Sequence, residues 1–391
     1  DDEELFAESL VRAIELASQQ SEAIEFRGRG SASPPRIDVT ATNLPDSRFI
    51  SLSFAGVGGE SAALLIRAPW DDLLPRLLTQ GLRYFEPMVT GYPVATENDV
   101  LFEDSFPLES VRPPSVNLGM VGLYPTGLAR NVDGGVILSG TTFAVSIDSL
   151  FRITGYPGAD LLDQGVMNYA RSVAVTPAGT VYFQPAQGSE VYRLIPGAPR
   201  TQRIRGGVGG FGPFTVLPDG TVITIDAVSK RAAALEGRER REIDLFPNPD
   251  AYISAATTGP AGNIWIFDGA EQRISIVTPD GRVVDTIIPA VPQAVGSQTV
   301  GIAPYPDGSF LLLTRAGLWK IRRDGRPIWG YDELPSTANT SFQLMVAVAT
   351  DPENGLIYLA DSGSRSLIRL REAPIPDDDA AFRGEGSVAA E

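Results

Sequence analysis

Histidine and cysteine are both absent from this chain of 391 residues. Without them there is no Ser-His-Asp or Cys-His nucleophile system, no imidazole or thiolate zinc site, no haem or iron–sulfur ligation of the usual kinds and no disulfide. A metal ion would have to be a hard cation held by oxygen ligands. The two absences exclude most of the common catalytic and metal chemistry.

Basic charge is scarce, and lysine is nearly absent. Lys230 and Lys320 are the only lysines among 32 basic residues, and 48 acidic residues bring the formal net charge to −16. We attribute the excess of arginine over lysine to coding bias or habitat rather than to phosphate binding. Charge repulsion opposes binding to nucleic acid and to anionic membrane surfaces, so we expect no nucleic-acid partner.

Long hydrophobic runs are also missing. No stretch of about 18 uncharged apolar residues occurs, so we expect no transmembrane segment. The chain begins at Asp1 rather than methionine, which indicates that upstream residues were removed, by export processing or during production. The start at Asp1 and the lack of cysteine together favour an exported protein, periplasmic or extracellular. The sequence does not indicate the oligomeric state.

What the sequence does contain is a repeat. The composition, 43% hydrophobic with 40 glycines and 31 prolines, is typical of a folded, turn-rich protein. Turn glycines recur at intervals of 41 to 47 residues, which is the length of one four-stranded β-propeller blade. They are Gly134, Gly179, Gly220, Gly262, Gly308 and Gly355.

The residues around these glycines indicate which strands lie inside. Turns such as Pro218-Asp219-Gly220 combine a fixed φ with a residue that tolerates positive φ, as hairpins require. The runs that follow, such as 264–267, are apolar at every position, which indicates strands covered on both faces. A third strand, such as 317–321, alternates as a strand nearer the rim should.

The last unit has three strands where the others have four. After 366–370 the chain enters Pro374-Ile375-Pro376 and an acidic tail. Because a ring must close, we predict that a strand ahead of the first blade completes the last one, within 99–106 or 116–123. Six blades would then occupy residues 112–372. A seventh blade is the alternative, since 97–105 imitates the turn-strand element.

Several of these segments resemble a known family. Pro125-Thr126-Gly127-Leu128-Ala129, Gly301-Ile302-Ala303 and the stretch 355–363 resemble NHL-type propeller repeats, and the resemblance extends over about two thirds of the chain. It implies a six-bladed β-propeller. Among six-bladed relatives, the amidating lyases use histidine ligands, which this chain lacks. The gluconolactonase-like enzymes hold a divalent cation at the axis with Glu, Asn and Asp, and none of those ligands can be assigned to a residue here.

The first 111 residues have a different pattern. We predict a helix over 3–19, a Gly/Ser/Pro connector over 27–35, strands near 37–42, 49–54 and 62–66, and a short helix over 71–82. The apolar stripe of the first helix is expected to pack on its own domain. It consists of Phe6, Leu10, Ile14 and Ala17.

The whole chain is therefore predicted to be a mainly-β protein, a six-bladed β-propeller over 112–372 preceded by a small α+β domain over 1–111. The alternative for residues 1–111 is a cap wrapped over one propeller face. The two-domain plan is similar in outline to that of the periplasmic TolB family. Residues 373–391 are predicted to be a disordered acidic tail.

Three carboxylates occupy one position of the repeat, six residues after the turn glycine. They are Asp226, Asp268 and Asp361, and the other blades have Gly140, Pro185 and Thr314 there. A structural interpretation makes each carboxylate an acceptor for the backbone amides of the next turn. A functional interpretation makes them an acidic collar or part of a cation site. We favour the structural interpretation.

Two further segments could suggest ligands. The stretch 206–212 is rich in glycine, but it lacks the strand-to-helix context and the Lys-Ser/Thr of a phosphate loop, so we predict an inter-blade loop. Charged residues are expected to protect the outer strands from pairing, with docking of an acidic partner as the alternative. They are Arg200, Arg203, Arg205, Arg238, Arg240 and Arg241, interleaved with Glu236, Glu239 and Glu242.

These observations favour a non-enzymatic binding or scaffold protein that presents a propeller face to a protein or glycan partner in the cell envelope. No catalytic residue and no cofactor are predicted, and metal ligands are left unassigned. The alternative is a divalent-cation-dependent hydrolase or lactonase of the gluconolactonase-like type. A third hypothesis is a self-associating structural component of the envelope.

Overall fold

The computed structural model describes the backbone of 36–44, 47–55 and 61–68, and describes with side chains 95, 99–109, 111–113, 123–166, 169–185, 189–208, 212–237, 239–246, 251–291, 299–315, 317–331 and 343–373. The predicted helices, the 27–35 connector and the tail beyond residue 373 lie outside these residues. No helix in the described part of the chain is long and apolar enough to cross a membrane.

Three strands near the N-terminus form an antiparallel sheet in chain order: β1 (Arg36–Leu44), β2 (Ser47–Ala55) and β3 (Ser61–Ala68). Strands therefore form in each of the three predicted segments. The register pairs apolar residues across all three strands, since Leu52 of β2 lies opposite both Val39 and Leu64. The next strand along the chain, β4 (Val100–Pro107), belongs to a different sheet.

Six four-stranded antiparallel sheets follow, and in blades 1 to 5 the strands run in chain order from the innermost to the outermost. Blades 1 to 3 contain β5 (Pro125–Arg130), β6 (Val136–Gly140), β7 (Ala144–Ile147), β8 (Ile153–Gly155), β9 (Ser172–Val175), β10 (Val181–Gln184), β11 (Val191–Leu194), β12 (Gln202–Ile204), β13 (Phe214–Val216), β14 (Val222–Asp226), β15 (Arg231–Glu236) and β16 (Glu239–Ile243). A single helical turn, α1 (Asp160–Asp163), lies between blades 1 and 2.

Blades 4 to 6 continue the pattern. They contain β17 (Ile253–Thr258), β18 (Ile264–Asp268), β19 (Arg273–Val277), β20 (Val283–Ile287), β21 (Thr299–Pro304), β22 (Phe310–Thr314), β23 (Leu318–Ile321), β24 (Pro327–Tyr331), β25 (Met345–Asp351), β26 (Leu356–Asp361) and β27 (Ser366–Glu372). The inner strand of each blade contacts the inner strand of the next, and β25 contacts β5. The six-bladed propeller is confirmed, and the seven-bladed alternative is wrong.

The ring is closed by β4, which is the outermost strand of blade 6. It pairs antiparallel with β27, from Pro107 opposite Ser366 to Val100 opposite Glu372. The closing strand thus lies at 100–107, in the first of the two candidate segments. This strand lies within residues 1–111, the predicted N-terminal domain, but in the structure it belongs to the propeller.

The hairpin turns between first and second strands explain the glycine repeat. All six turn glycines have a φ between 63° and 90°. A side chain is strained in that region, whereas glycine is not. In blade 3 the turn is closed by the Gly220 amide, which donates to the Leu217 carbonyl at 2.9 Å. The sequence repeat therefore reports a backbone requirement of each blade.

The core lies between the faces of adjacent blades. Every residue of the second strands β14, β18 and β22 is buried, and the apolar runs 264–267 and 310–313 predict this for β18 and β22. One cluster joins blades 4 and 5, with Trp265 packed edge-on against Phe310 at 5.6 Å between ring centroids. The blades are therefore held together by apolar side chains contributed from both sheets.

Close packing of the outer strands gives a first prediction. Gly330 in β24 lies opposite Trp319, and a Cβ atom built there would be 2.2 Å from the indole ring. Gly330→Ala is expected to destabilise the protein by about 1–3 kcal/mol, because overpacking forces side chains off their rotamers. Denaturant unfolding followed by tryptophan fluorescence would measure this.

The matched control is Gly155→Ala at the end of β8, another outermost strand. A Cβ atom there would meet nothing within 4 Å. The unfolding midpoint of this variant is expected to stay near that of the parent. Equal midpoints for the two variants would show that the Trp319 contact is not limiting.

Candidate functional site

The six inner strands enclose an axial channel with a cavity volume of about 560 Å³. Each inner strand is an edge strand of its sheet and pairs with only one neighbour. The N–H and C=O groups of its unpaired side therefore face the channel. The charged side chains that line it are Arg130 and Arg171, and no carboxylate residue of the described chain does so. The channel is thus walled mainly by polar main-chain groups.

Four inner strands carry a β-bulge at the end where they begin. The register shifts at Thr126, Ser254, Val300 and Val346, each of which is passed over in the pairing with the second strand. Bulges twist a strand locally and redirect side chains. We call this end the channel mouth, defined by those four residues and by the equivalent residues of blades 2 and 3. The six are Thr126, Arg171, Gly212, Ser254, Val300 and Val346, all of which line the channel.

The opposite end of the channel carries a paired cation. The guanidinium of Arg130 lies 2.8 Å from a carboxylate oxygen of Asp351, which is fully buried, and 2.8 Å from one of Glu353. Because Arg130 belongs to blade 1 and the acids to blade 6, the pair links the first and last blades. Its position fits a structural role at the seam of the ring.

Asp226 behaves as the structural interpretation predicts. One carboxylate oxygen accepts hydrogen bonds from the amides of Val228 (3.0 Å) and Ser229 (3.2 Å), and the other accepts from the Ser229 hydroxyl (2.6 Å). Burial alone would raise the pKa of Asp226, but the hydrogen bonds from Ser229 and Val228 outweigh it and lower the pKa. The carboxylate therefore stays ionised as a turn acceptor.

Asp268 and Asp361 have an additional partner, the start of their own inner strand. Asp268 accepts a hydrogen bond from the Tyr252 amide (3.0 Å) and another from Ala270 (3.0 Å). Asp361 accepts from the Leu344 amide (2.9 Å) and from that of Gly363 (2.8 Å). These aspartates fix the backbone at the channel mouth.

The acidic collar is not assembled in the described part of the chain. No group of three or more acidic residues that could hold a metal ion occurs among those residues. In blade 5 the equivalent hydroxyl, Thr314, bonds with Gly317 in its own turn. The three aspartates and Thr314 at this repeat position therefore each hold a turn.

The glycine-rich stretch 206–212, predicted to be an inter-blade loop, lies along the chain between β12 of blade 2 and β13 of blade 3, and its residues 209–211 lie outside the described part of the chain. A Cβ atom on Gly212 would be 2.1 Å from the Ile225 carbonyl oxygen, so close backbone approach requires glycine there. Two of the arginines expected to protect the outer strands form salt bridges. Arg203 pairs with Glu190, and Arg240 pairs with Glu242 at 2.9 Å. Arg203, Arg240 and Arg241 lie on outermost strands, which fits the protection of exposed edges. Arg200 and Arg205 lie just outside β12, and Arg238 lies outside the described residues.

One buried ion pair was missed by the sequence reasoning. The sequence predicts that 317–321 alternates as a strand nearer the rim, but every residue of β23 is buried, and Lys320 is only 5% exposed. Its ammonium lies 2.6 Å from a Glu372 oxygen in the next blade and 4.2 Å from the centroid of the Tyr305 ring. Burial and the Glu372 charge raise the pKa of Tyr305, so the phenol stays protonated. The only signal in the sequence is the rarity of lysine.

No protein-family model matches the chain, and no curated protein matches it. Solved structures with some similarity include a streptogramin B lyase, 16% identical with a TM-score of 0.48 over 70% of this chain and 98% of that one. Virginiamycin B lyase from Staphylococcus aureus is 15% identical, with a TM-score of 0.46 over 68% and 98%. A gluconolactonase from Xanthomonas campestris is 12% identical, with a TM-score of 0.45 over 69% and 98%.

The class of protein is defined by the sheet topology of the chain itself, a six-bladed β-propeller closed by an N-terminal strand. The resemblance to NHL repeats is not supported by a family model.

Proposed function

We propose that the protein is a non-enzymatic binding or scaffold protein of the cell envelope, and that the face around the channel mouth contacts a protein or glycan partner. The observation that carries this proposal is how the acidic residues near the mouth are used. Asp226, Asp268 and Asp361 accept hydrogen bonds from turn and strand amides. General acid–base catalysis needs carboxylates that face a substrate, and those groups are committed elsewhere.

The same face offers what a binding surface needs. Its backbone is held in place by the aspartate hydrogen bonds, and apolar side chains project from it, with Val228 73% exposed and Tyr252 55% exposed. Rigid aromatic residues contribute strongly to interfaces at little entropic cost. A rigid frame with exposed apolar side chains fits partner binding better than turnover.

A pull-down from an envelope extract of the source organism tests the proposal. The immobilised protein is expected to retain a partner that the same protein, denatured before coupling, does not retain. Recovery of nothing above the denatured control would contradict the proposal.

Divalent cations give a second test, which addresses the hydrolase alternative. Ca²⁺, Mg²⁺, Mn²⁺ and Zn²⁺ at millimolar concentration are each expected to leave the melting temperature unchanged. A cation present at 100 times its dissociation constant would add about 2.7 kcal/mol of stability by mass action. A rise of several degrees with one cation, reversed by a chelator, would favour the hydrolase or lactonase instead.

A further inference from the structure

One position of the repeat lies two residues before each channel-mouth residue. The side chains at this position differ from blade to blade in how far the rest of the chain covers them. It is occupied by Tyr124 in blade 1, Tyr169 in blade 2, Tyr252 in blade 4 and Leu344 in blade 6. The three tyrosines therefore occupy equivalent places around the ring. Their surroundings show what this position accommodates.

Two of the tyrosines are covered from within the chain. Tyr169 is fully buried, and its hydroxyl donates to the Pro157 carbonyl at 3.1 Å. The ring of Tyr124 carries the guanidinium of Arg365, whose central carbon is 4.1 Å from the ring centroid. Tyr252 is 55% exposed. The tyrosine ring at this position is thus covered by a cation in blade 1 and exposed in blade 4.

The local reason lies in the turn of the preceding blade. Arg365 reaches Tyr124 from the turn between β26 and β27, where its φ is 51°. The equivalent residue before blade 4 is Lys230, with a φ of 58°. Its ammonium hydrogen-bonds to the Ala251 carbonyl and lies 5.7 Å from the centroid of Phe246. The cation that could cover Tyr252 is therefore directed to another ring.

Tyr252 is also held rigidly beside an incompletely satisfied carboxylate. Its amide donates to Asp268 at 3.0 Å, and its carbonyl accepts from the Gly269 amide at 2.8 Å. Asp268 is 2% exposed, and its second oxygen has no hydrogen-bond partner. Both oxygens of Asp361 and of Asp226 are satisfied. A buried acceptor without a donor is costly, and this carboxylate contacts the Tyr252 backbone directly.

We propose that Tyr252, whose backbone amide is held by Asp268, is a docking site for an arginine side chain of a partner protein. The inference rests on the proposed binding function and names the chemistry of the partner. An exposed aromatic face attracts a guanidinium, and the net charge of −16 steers basic segments toward the protein. The Arg365–Tyr124 contact shows the same geometry inside this chain.

Blocked peptides provide the probe. A biotinylated peptide of four Gly-Ser-Arg repeats is immobilised. A second immobilised peptide has citrulline in place of each arginine. The full chain is titrated over both peptides in about 150 mM salt, because salt screens long-range charge attraction. The arginine peptide is expected to bind more tightly. Tyr252→Leu is expected to weaken that binding by about three- to thirtyfold, and Tyr252→Phe to retain it.

Leu150→Ala is the matched control, because Leu150 is an exposed apolar residue in the turn after β7, at the other end of the blades. It is expected to bind the arginine peptide as the parent does. Equal binding by Tyr252→Leu and the parent would mean non-specific charge attraction only and would overturn the inference. Equal binding of the citrulline peptide, or no binding of either peptide, would also overturn it.

The envelope pull-down separates this inference from the proposed function. A partner retained equally by the parent and by Tyr252→Leu would leave the binding function standing and contradict the docking site. Retention of only a glycan would do the same. A partner whose recovery falls with Tyr252→Leu, and returns with Tyr252→Phe, is the expected result.

Discussion

A chain lacking residues 1–107 is expected to be insoluble or unfolded, whereas a chain lacking residues 1–94 is expected to fold as a propeller. The difference between them includes β4, which closes blade 6 by pairing with β27. Without β4, the edge of β27 and apolar residues beside it, such as Leu367 and Leu370, lose their cover. Exposed apolar strand edges promote aggregation. The cut before Ala95 also keeps the hydrogen bond from its amide to the Gly330 carbonyl (2.9 Å).

Expression of both truncations, followed by circular dichroism and thermal unfolding, would check this result. The chain that lacks residues 1–94 should show a cooperative transition close to that of the propeller in the full chain. Cooperative unfolding of the chain that lacks residues 1–107 would show that the ring is stable without its closing strand.

Lys320→Met is expected to destabilise the protein by about 3–5 kcal/mol, because it leaves the Glu372 carboxylate buried without its counter-charge. Methionine fills a similar volume, so the loss would report the charge rather than a cavity. The pair also joins blade 5 to blade 6, so the loss would fall on the contact between the last two blades. Equilibrium unfolding in urea would measure the change.

Two further variants separate the causes. Lys320→Met combined with Glu372→Gln removes both charges and is expected to recover much of the loss, since neutral replacement of a buried pair can be nearly neutral. Arg323→Met breaks the exposed pair with Asp285 and is expected to cost at most about 1 kcal/mol. If Lys320→Met and Arg323→Met lowered the free energy of unfolding equally, the buried ion pair would matter no more to stability than the exposed one.

The blade pattern was predictable because it rests on local requirements. Gly134, Gly220 and their equivalents need a positive φ in a tight turn, so the same residue type recurs wherever the turn does. Runs within the second strands, such as 264–267 and 310–313, are apolar at every position because adjacent sheets cover both faces. The missing fourth strand of the last unit implied a closing strand, and the candidate segment 99–106, which has strand character of its own, overlaps the observed strand at 100–107.

The role of the repeated aspartates was predictable in kind but not in detail. That Asp226, Asp268 and Asp361 accept hydrogen bonds from turn amides follows from their place after a strand. That Asp268 and Asp361 also hold the start of the inner strand does not, because those amides lie 16 and 17 residues earlier. The residue types around an aspartate do not identify an amide that lies this far away along the chain.

The sequence by itself determined the blade repeat, its turns and the chemistry that is missing, because these depend on residue type and on neighbours close along the chain. The sheet topology decided for six blades over seven. Only the tertiary structure decided that Lys320 is buried on Glu372 of the next blade, and that Tyr252 stays open while Tyr124 is covered by Arg365, which lies 241 positions further on. Repeat-equivalent residues look alike in sequence, but their surroundings depend on which side chains the neighbouring blade brings to them. The site proposed at Tyr252 is a product of that difference.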